Sequence, residues 1–104
     1  MNRLEQLRQF AEDDPNDPFN LYALALEYLK SDNSEAGKLF DQLLLEHELY
    51  LPTYYQAAIL QERTGNRALA LQLLEKGIGI AKQQNEIKNQ RELQGVYDEL
   101  SWED

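Results

Sequence analysis

Three features of the chain contain residue types that chemistry uses. The single histidine, His47, stands between Glu46 and Glu48. A metal site needs ligands that converge, and adjacent residues on a helix point to different faces. His47 therefore reads as an exposed linker histidine. The run Glu12-Asp13-Asp14-Pro15-Asn16-Asp17 carries enough oxygen for calcium. It lacks the glycine and the closing bidentate glutamate of a calcium loop and contains Pro15. It reads as helix-end and cap carboxylates. Gly77-Ile78-Gly79 has no strand before it, so a Gly-rich phosphate or dinucleotide loop is rejected. Inside a helical pattern such glycines serve close helix packing or cost about 1 kcal/mol each. The chain has no cysteine, which removes disulfides, thiolate nucleophiles and Cys-ligated metals. The expectation is a chain with no catalytic residue, no metal and no cofactor.

The elements that hold these residues are helices. Of 104 residues, 42% are apolar; 19 are Leu and 9 are Ala, against one Val, four Ile and two Thr. That balance favours helices and argues against sandwiches, barrels and doubly wound sheets. Leu4, Leu7, Phe10 and Ala11 form one stripe of a helix from about Asn2 to Glu12. Asp17 is a good N-cap and Pro18 a good first residue for a second helix, with Leu21, Leu24, Ala25 and Tyr28 on its stripe. A third carries Ala36, Leu39, Phe40, Leu43 and Leu44. Leu51-Pro52 opens a fourth, which Thr64-Gly65-Asn66 ends with a left-handed cap at Gly65. A fifth spans Arg67 to about Gln83, with Leu71, Leu74, Ile78 and Ala81 on one side. A last helix aligns Leu93, Val96, Tyr97 and Leu100. Trp102 lies beyond that stripe; it either packs as a staple on the last helix or stands as an exposed anchor for another subunit.

The stripes repeat. Ala36 and Ala70 are 34 apart, as are Phe40 and Leu74, and Leu44 and Ile78. Leu21 and Tyr54 are 33 apart, as are Leu24 and Ala57, and Ala25 and Ala58. Tyr54-x2-Ala57-Ala58-x2-Gln61, Gly65 and Ala70-x3-Leu74 form one copy; Leu21-x2-Leu24-Ala25-x2-Tyr28 and Ala36-x3-Phe40 form the other. This resembles the tetratricopeptide repeat family, in which small residues let paired helices approach and large ones fill the holes around them. The chain departs from that pattern with Gln61 for an aromatic, Asp32 for glycine and Gly77 for alanine. The resemblance implies an all-α, right-handed stack of antiparallel helical hairpins, about six helices. It divides the chain into an N-terminal helix like half a repeat (1–14), a first repeat (17–50), a second (51–84) and a C-terminal capping helix (85–104).

The same resemblance implies a function. In this family the first helix of each repeat lines a concave groove that binds peptides or helices. Carried over, the groove takes Phe19, Tyr22, Leu26, Leu29 and Lys30 from one repeat and Tyr55, Ile59, Glu62 and Arg63 from the next. Some members clamp a chaperone's C-terminal carboxylate with Lys and Asn; here Tyr22, Leu26, Tyr55 and Ile59 hold the comparable places. Exposed apolar patches mark interaction sites, and Tyr is a common anchor in them. The expected function is a non-catalytic adaptor or scaffold for a protein or peptide partner. The alternatives are a homodimer through the apolar groove, terminal helices folded over it, or an acidic chaperone for a basic client. The net charge of −9 argues against nucleic acid. Residues 1–52 carry 11 acids and 4 bases, which reads as a solvated surface or a preference for basic partners. The charged start Met1-Asn2-Arg3-Leu4-Glu5 and the lack of any 18-residue apolar run point away from membranes and toward the cytoplasm.

Overall fold

Helix punctuation falls where the cap chemistry places it. The computed structural model describes residues 2–102, and among them the order is α1 (Arg3–Asp13), α2 (Pro18–Tyr28), α3 (Asn33–Glu46), α4 (Pro52–Arg63), α5 (Arg67–Gln83) and α6 (Ile87–Trp102), with no strand. The chain divides into two compact units, Met1–Tyr50 and Leu51–Asp104.

In the first unit each helix start has a side-chain cap. Asn2 accepts from the Glu5 amide at 2.8 Å, Asp17 from Phe19 at 3.0 Å and Asp32 from Glu35 at 3.1 Å. Each bond satisfies a donor that the helix itself leaves orphaned. Asp32, which departs from the glycine of the repeat pattern, thus caps α3. Its own amide and that of Ser31 both donate to the Tyr28 carbonyl, closing α2 tightly onto α3. Ala25 and Ala36 are fully buried, and Phe40 and Leu43 fill the space beside them. Helix α1 packs on α2. It is tied there by Arg8, whose Nε and Nη2 donate to the Tyr28 hydroxyl at 2.9 and 2.6 Å. The apolar stripe expected on α1 is corrected in part. Leu7 is buried and Leu4 and Ala11 half-buried, but Phe10 is 52% exposed. With α2 as its partner in the unit, α1 has a narrow contact face, and the edge of its stripe stays in water.

In the second unit α5 packs against both α4 and α6. Its buried set is correspondingly wide: Ala70, Leu74, Gly77, Ile78, Ile80 and Ala81. Gly65 adopts φ +87°, the left-handed conformation that ends α4, and Asn85 at φ +57° ends α5 in the same way. The two glycines of α5 differ. A Cβ at Gly77 would stand 2.8 Å from the Tyr54 Cβ and 3.1 Å from Leu93 Cδ1, whereas one at Gly79 would meet nothing. Gly77 therefore departs from the family's alanine because fully buried Tyr54 occupies that space. Gly77→Ala is expected to destabilise by about 1–3 kcal/mol through overpacking. Gly79→Ala is expected to stabilise by up to about 1 kcal/mol through helix propensity alone. Urea denaturation of the two variants checks this pair of opposite signs.

Trp102 ends α6 with 87% of its surface in water, so the staple reading is corrected; Glu103 and Asp104 of the same tail lie outside the described residues. His47 is the C-cap of α3, its amide donating to the Leu43 carbonyl. Among the described residues no three His, Asp or Glu side chains converge as metal ligands would. No described helix is long and apolar enough to cross a membrane.

Candidate interaction faces on α2 and α4

The packing stripe of α2 leaves a second face. Tyr22, Leu26 and Leu29 follow one another at helical spacing and are all half-buried. Phe19, one turn before Tyr22, is 60% exposed, and Lys30 at the other end is exposed. Two of these residues already have neighbours inside the unit. The Tyr22 ring meets Tyr50 edge-on, with centroids 5.7 Å apart and planes at 66°, a favoured aromatic geometry. Lys30 pairs with Glu27 at 2.9 Å. That bond competes with any carboxylate Lys30 would hold, though an exposed pair of this kind contributes only about 0–1 kcal/mol. Tyr50 was not among the expected site residues. Burial, together with the charges of Tyr22 and Asp17, holds its phenol above the ordinary tyrosine pKa, so it remains a neutral donor.

On α4 the corresponding residues are Tyr55, Ile59, Glu62 and Arg63. Tyr55 is 39% exposed, Ile59 is half-buried, and Glu62 and Arg63 are exposed. Tyr55 stands at a small cavity of about 30 Å³ that it lines with Leu51, Pro52, Asn89, Glu92 and Leu93. Leu51 and Leu93 are buried and supply an apolar floor, while Asn89 and Glu92 supply a polar edge from α6. The two α6 residues were also unforeseen. A signal for them existed, because the 34-residue spacing carried past residue 84 maps Tyr55 onto Asn89 and Ala58 onto Glu92.

No family model and no curated protein matches the chain. Solved structures do. A crystal structure of a tetratricopeptide repeat domain protein from Salinibacter ruber is 36% identical, matching 82% of this chain and 96% of its own, with a TM-score of 0.78. A solution NMR structure of a tetratricopeptide repeat domain protein from the same organism is 38% identical over 84% of this chain and 89% of its own, with a TM-score of 0.80. The chain belongs to the tetratricopeptide repeat family. Tetratricopeptide repeats are a protein-interaction fold, and in this member α2 pairs with α3 and α4 with α5 as the helical hairpins. Membership gives the two faces their significance, since α2 and α4 are the first helices of those hairpins.

Proposed function

We propose that this tetratricopeptide repeat protein is a non-catalytic adaptor or scaffold that binds a peptide or helix of a partner protein. Its contact residues are Phe19, Tyr22 and Leu26 on α2 with Leu29 and Lys30 just past its end, and Tyr55, Ile59, Glu62 and Arg63 on α4. The observation that carries the reading is the contrast between two adjacent tyrosines. Tyr54 is wholly buried, whereas Tyr55 keeps more than a third of its surface in water beside a small apolar-floored cavity. A half-exposed tyrosine over such a floor is the kind of anchor that dominates interfaces.

Affinity capture from the native cell, read by mass spectrometry, tests the proposal with wild type beside Tyr55→Ala and Tyr22→Ala/Tyr55→Ala. Loss of an interface anchor costs about 2 kcal/mol or more, so the enriched partner is expected to fall by more than tenfold while Tyr55→Ala still folds and melts cooperatively. Tyr55→Ala is the cleaner variant, because Tyr22 also packs on Tyr50. Unfolding by Tyr55→Ala would make Tyr55 core and sink the assignment. Sedimentation over a range of concentrations separates the alternative occupant, since a dimer that Tyr55→Ala dissociates would give the face to a second copy of this chain.

A further inference from the structure

A second recess lies between α5 and α6, and no residue of α4 contributes to it. It has a volume of about 160 Å³ and is lined by Glu75 and Ile78 from α5 and by Gln94 and Tyr97 from α6. The Tyr97 hydroxyl donates to Glu75 Oε1 at 3.0 Å, a bond that fixes the carboxylate from a neighbouring helix. An ionised carboxylate offers about four acceptor positions, so this bond leaves most of its capacity open. Among the described residues Glu75 makes no ion pair. The proton stays on the phenol, because the hydrogen bond to Glu75, its charge, burial and the charge of Asp98 all raise the Tyr97 pKa. One N–H of the Gln94 amide donates to Asp98 at 2.9 Å, which leaves its carbonyl oxygen and its second N–H. The polar wall thus offers the Glu75 carboxylate and the Gln94 carbonyl as acceptors, beside an aromatic ring and above the nearly buried Ile78.

The Glu75 carboxylate disfavours anions, and an apolar floor is wasted on a bare metal ion. A long aliphatic stem ending in a cation satisfies both parts. The stem covers Ile78, the cationic head donates to Glu75 and Gln94, and the face of Tyr97 adds a cation–π attraction. We infer that the α5–α6 recess, built by Glu75, Ile78, Gln94 and Tyr97, is a receptor for a single lysine or arginine side chain of a basic partner segment. This site is independent of the α2 and α4 faces and stands or falls separately from them.

The test uses the full chain, labelled with nitrogen-15, titrated to millimolar concentration with three probes: N-acetyl-lysine methylamide, N-acetyl-arginine methylamide and N-acetyl-norleucine methylamide. A cationic probe is expected to shift the backbone amides of residues 75, 78, 94 and 97 saturably, while the norleucine probe, which has the stem without the charge, does not. Glu75→Gln keeps the shape and removes the charge, and is expected to weaken the cationic probe by about tenfold or more, the loss of a charge-assisted hydrogen bond. Glu92→Gln, an acidic residue of the same unit outside the recess, is expected to leave the titration unchanged, as is Tyr55→Ala. Three results would each overturn the proposal: shifts that do not saturate, equal shifts with norleucine, or an unchanged titration in Glu75→Gln. Because Glu75 is exposed, its replacement by Gln is read on a folded protein, verified by the dispersion of the same spectra.

Discussion

Deleting residues 85–104 is expected to yield a protein that aggregates on expression or melts far below the full-length chain. Helix α5 buries residues on two sides, and α6 covers one of them. Leu93, 3% exposed, lies against the backbone at Gly77; Ile78 lies beside Gln94 and Tyr97; and a terminal nitrogen of Arg67 donates to the Leu100 carbonyl. Burial of Leu93 alone contributes about 1.5–3 kcal/mol, and Val96, Tyr97 and Leu100 add partial burial. The whole stability of a domain this size is about 5–15 kcal/mol, so α6 supplies a large share of it. Repeat units cannot close their own apolar faces and need a terminal cap for solubility. The polar outer surface of α6, with Lys88, Arg91, Glu92 and Gln94 exposed, meets that need. Light scattering and a thermal melt of the truncated chain check the expectation. A monodisperse product with the full-length melting temperature would show that α5 does not depend on α6.

The repeat was legible because the same physical demand recurs at a fixed spacing. Ala25 and Ala58, and Ala36 and Ala70, are all fully buried, and a small residue where two helices touch leaves a mark that the next copy repeats. Features that depend on a neighbour distant in sequence left weaker marks. Gly77 showed as a departure from the pattern, but its cause, Tyr54, lies a full helix upstream. The recess between α5 and α6 was not legible, since Glu75 and Tyr97 are 22 residues apart and their pairing belongs to no repeat of the pattern. For Trp102 the sequence left two readings open, and the angular position decides between them. At about 100° per residue, a position nine residues beyond Leu93 points to the opposite side of α6. Aromatic character suggested packing, but angular position decided exposure. On the α4 face Tyr55 was legible because it falls off its packing stripe, while Asn89 and Glu92 required the ruler to be carried into the capping helix.

Tyr54→Ala is expected to be among the most damaging single substitutions in the chain, and Tyr55→Ala, one residue away, much milder in stability. Tyr54 has no exposed surface and is the largest of the fully buried side chains. Truncating a buried aromatic ring to alanine costs about 3–5 kcal/mol, from lost transfer energy and from the cavity left behind. Collapse cannot recover much of it here. Alanine retains the Cβ that already limits the approach of α5, at 2.8 Å from where a Gly77 Cβ would stand, so the two helices cannot close over the missing ring. Tyr54→Phe keeps the volume and removes only the hydroxyl, with an expected cost near 1 kcal/mol. Tyr55→Ala removes a side chain that is 39% exposed, so the loss of its partial burial is expected to cost about 1–2 kcal/mol, well below the cost at Tyr54. Urea unfolding separates these cases as shifts in midpoint at constant slope. A midpoint for Tyr55→Ala as low as that for Tyr54→Ala would place both tyrosines in the core and remove the α4 face as a site for a partner. The expected divergence assigns adjacent, chemically identical residues to different work: Tyr54 holds α4 to α5, and Tyr55 is left for what α4 meets outside the fold.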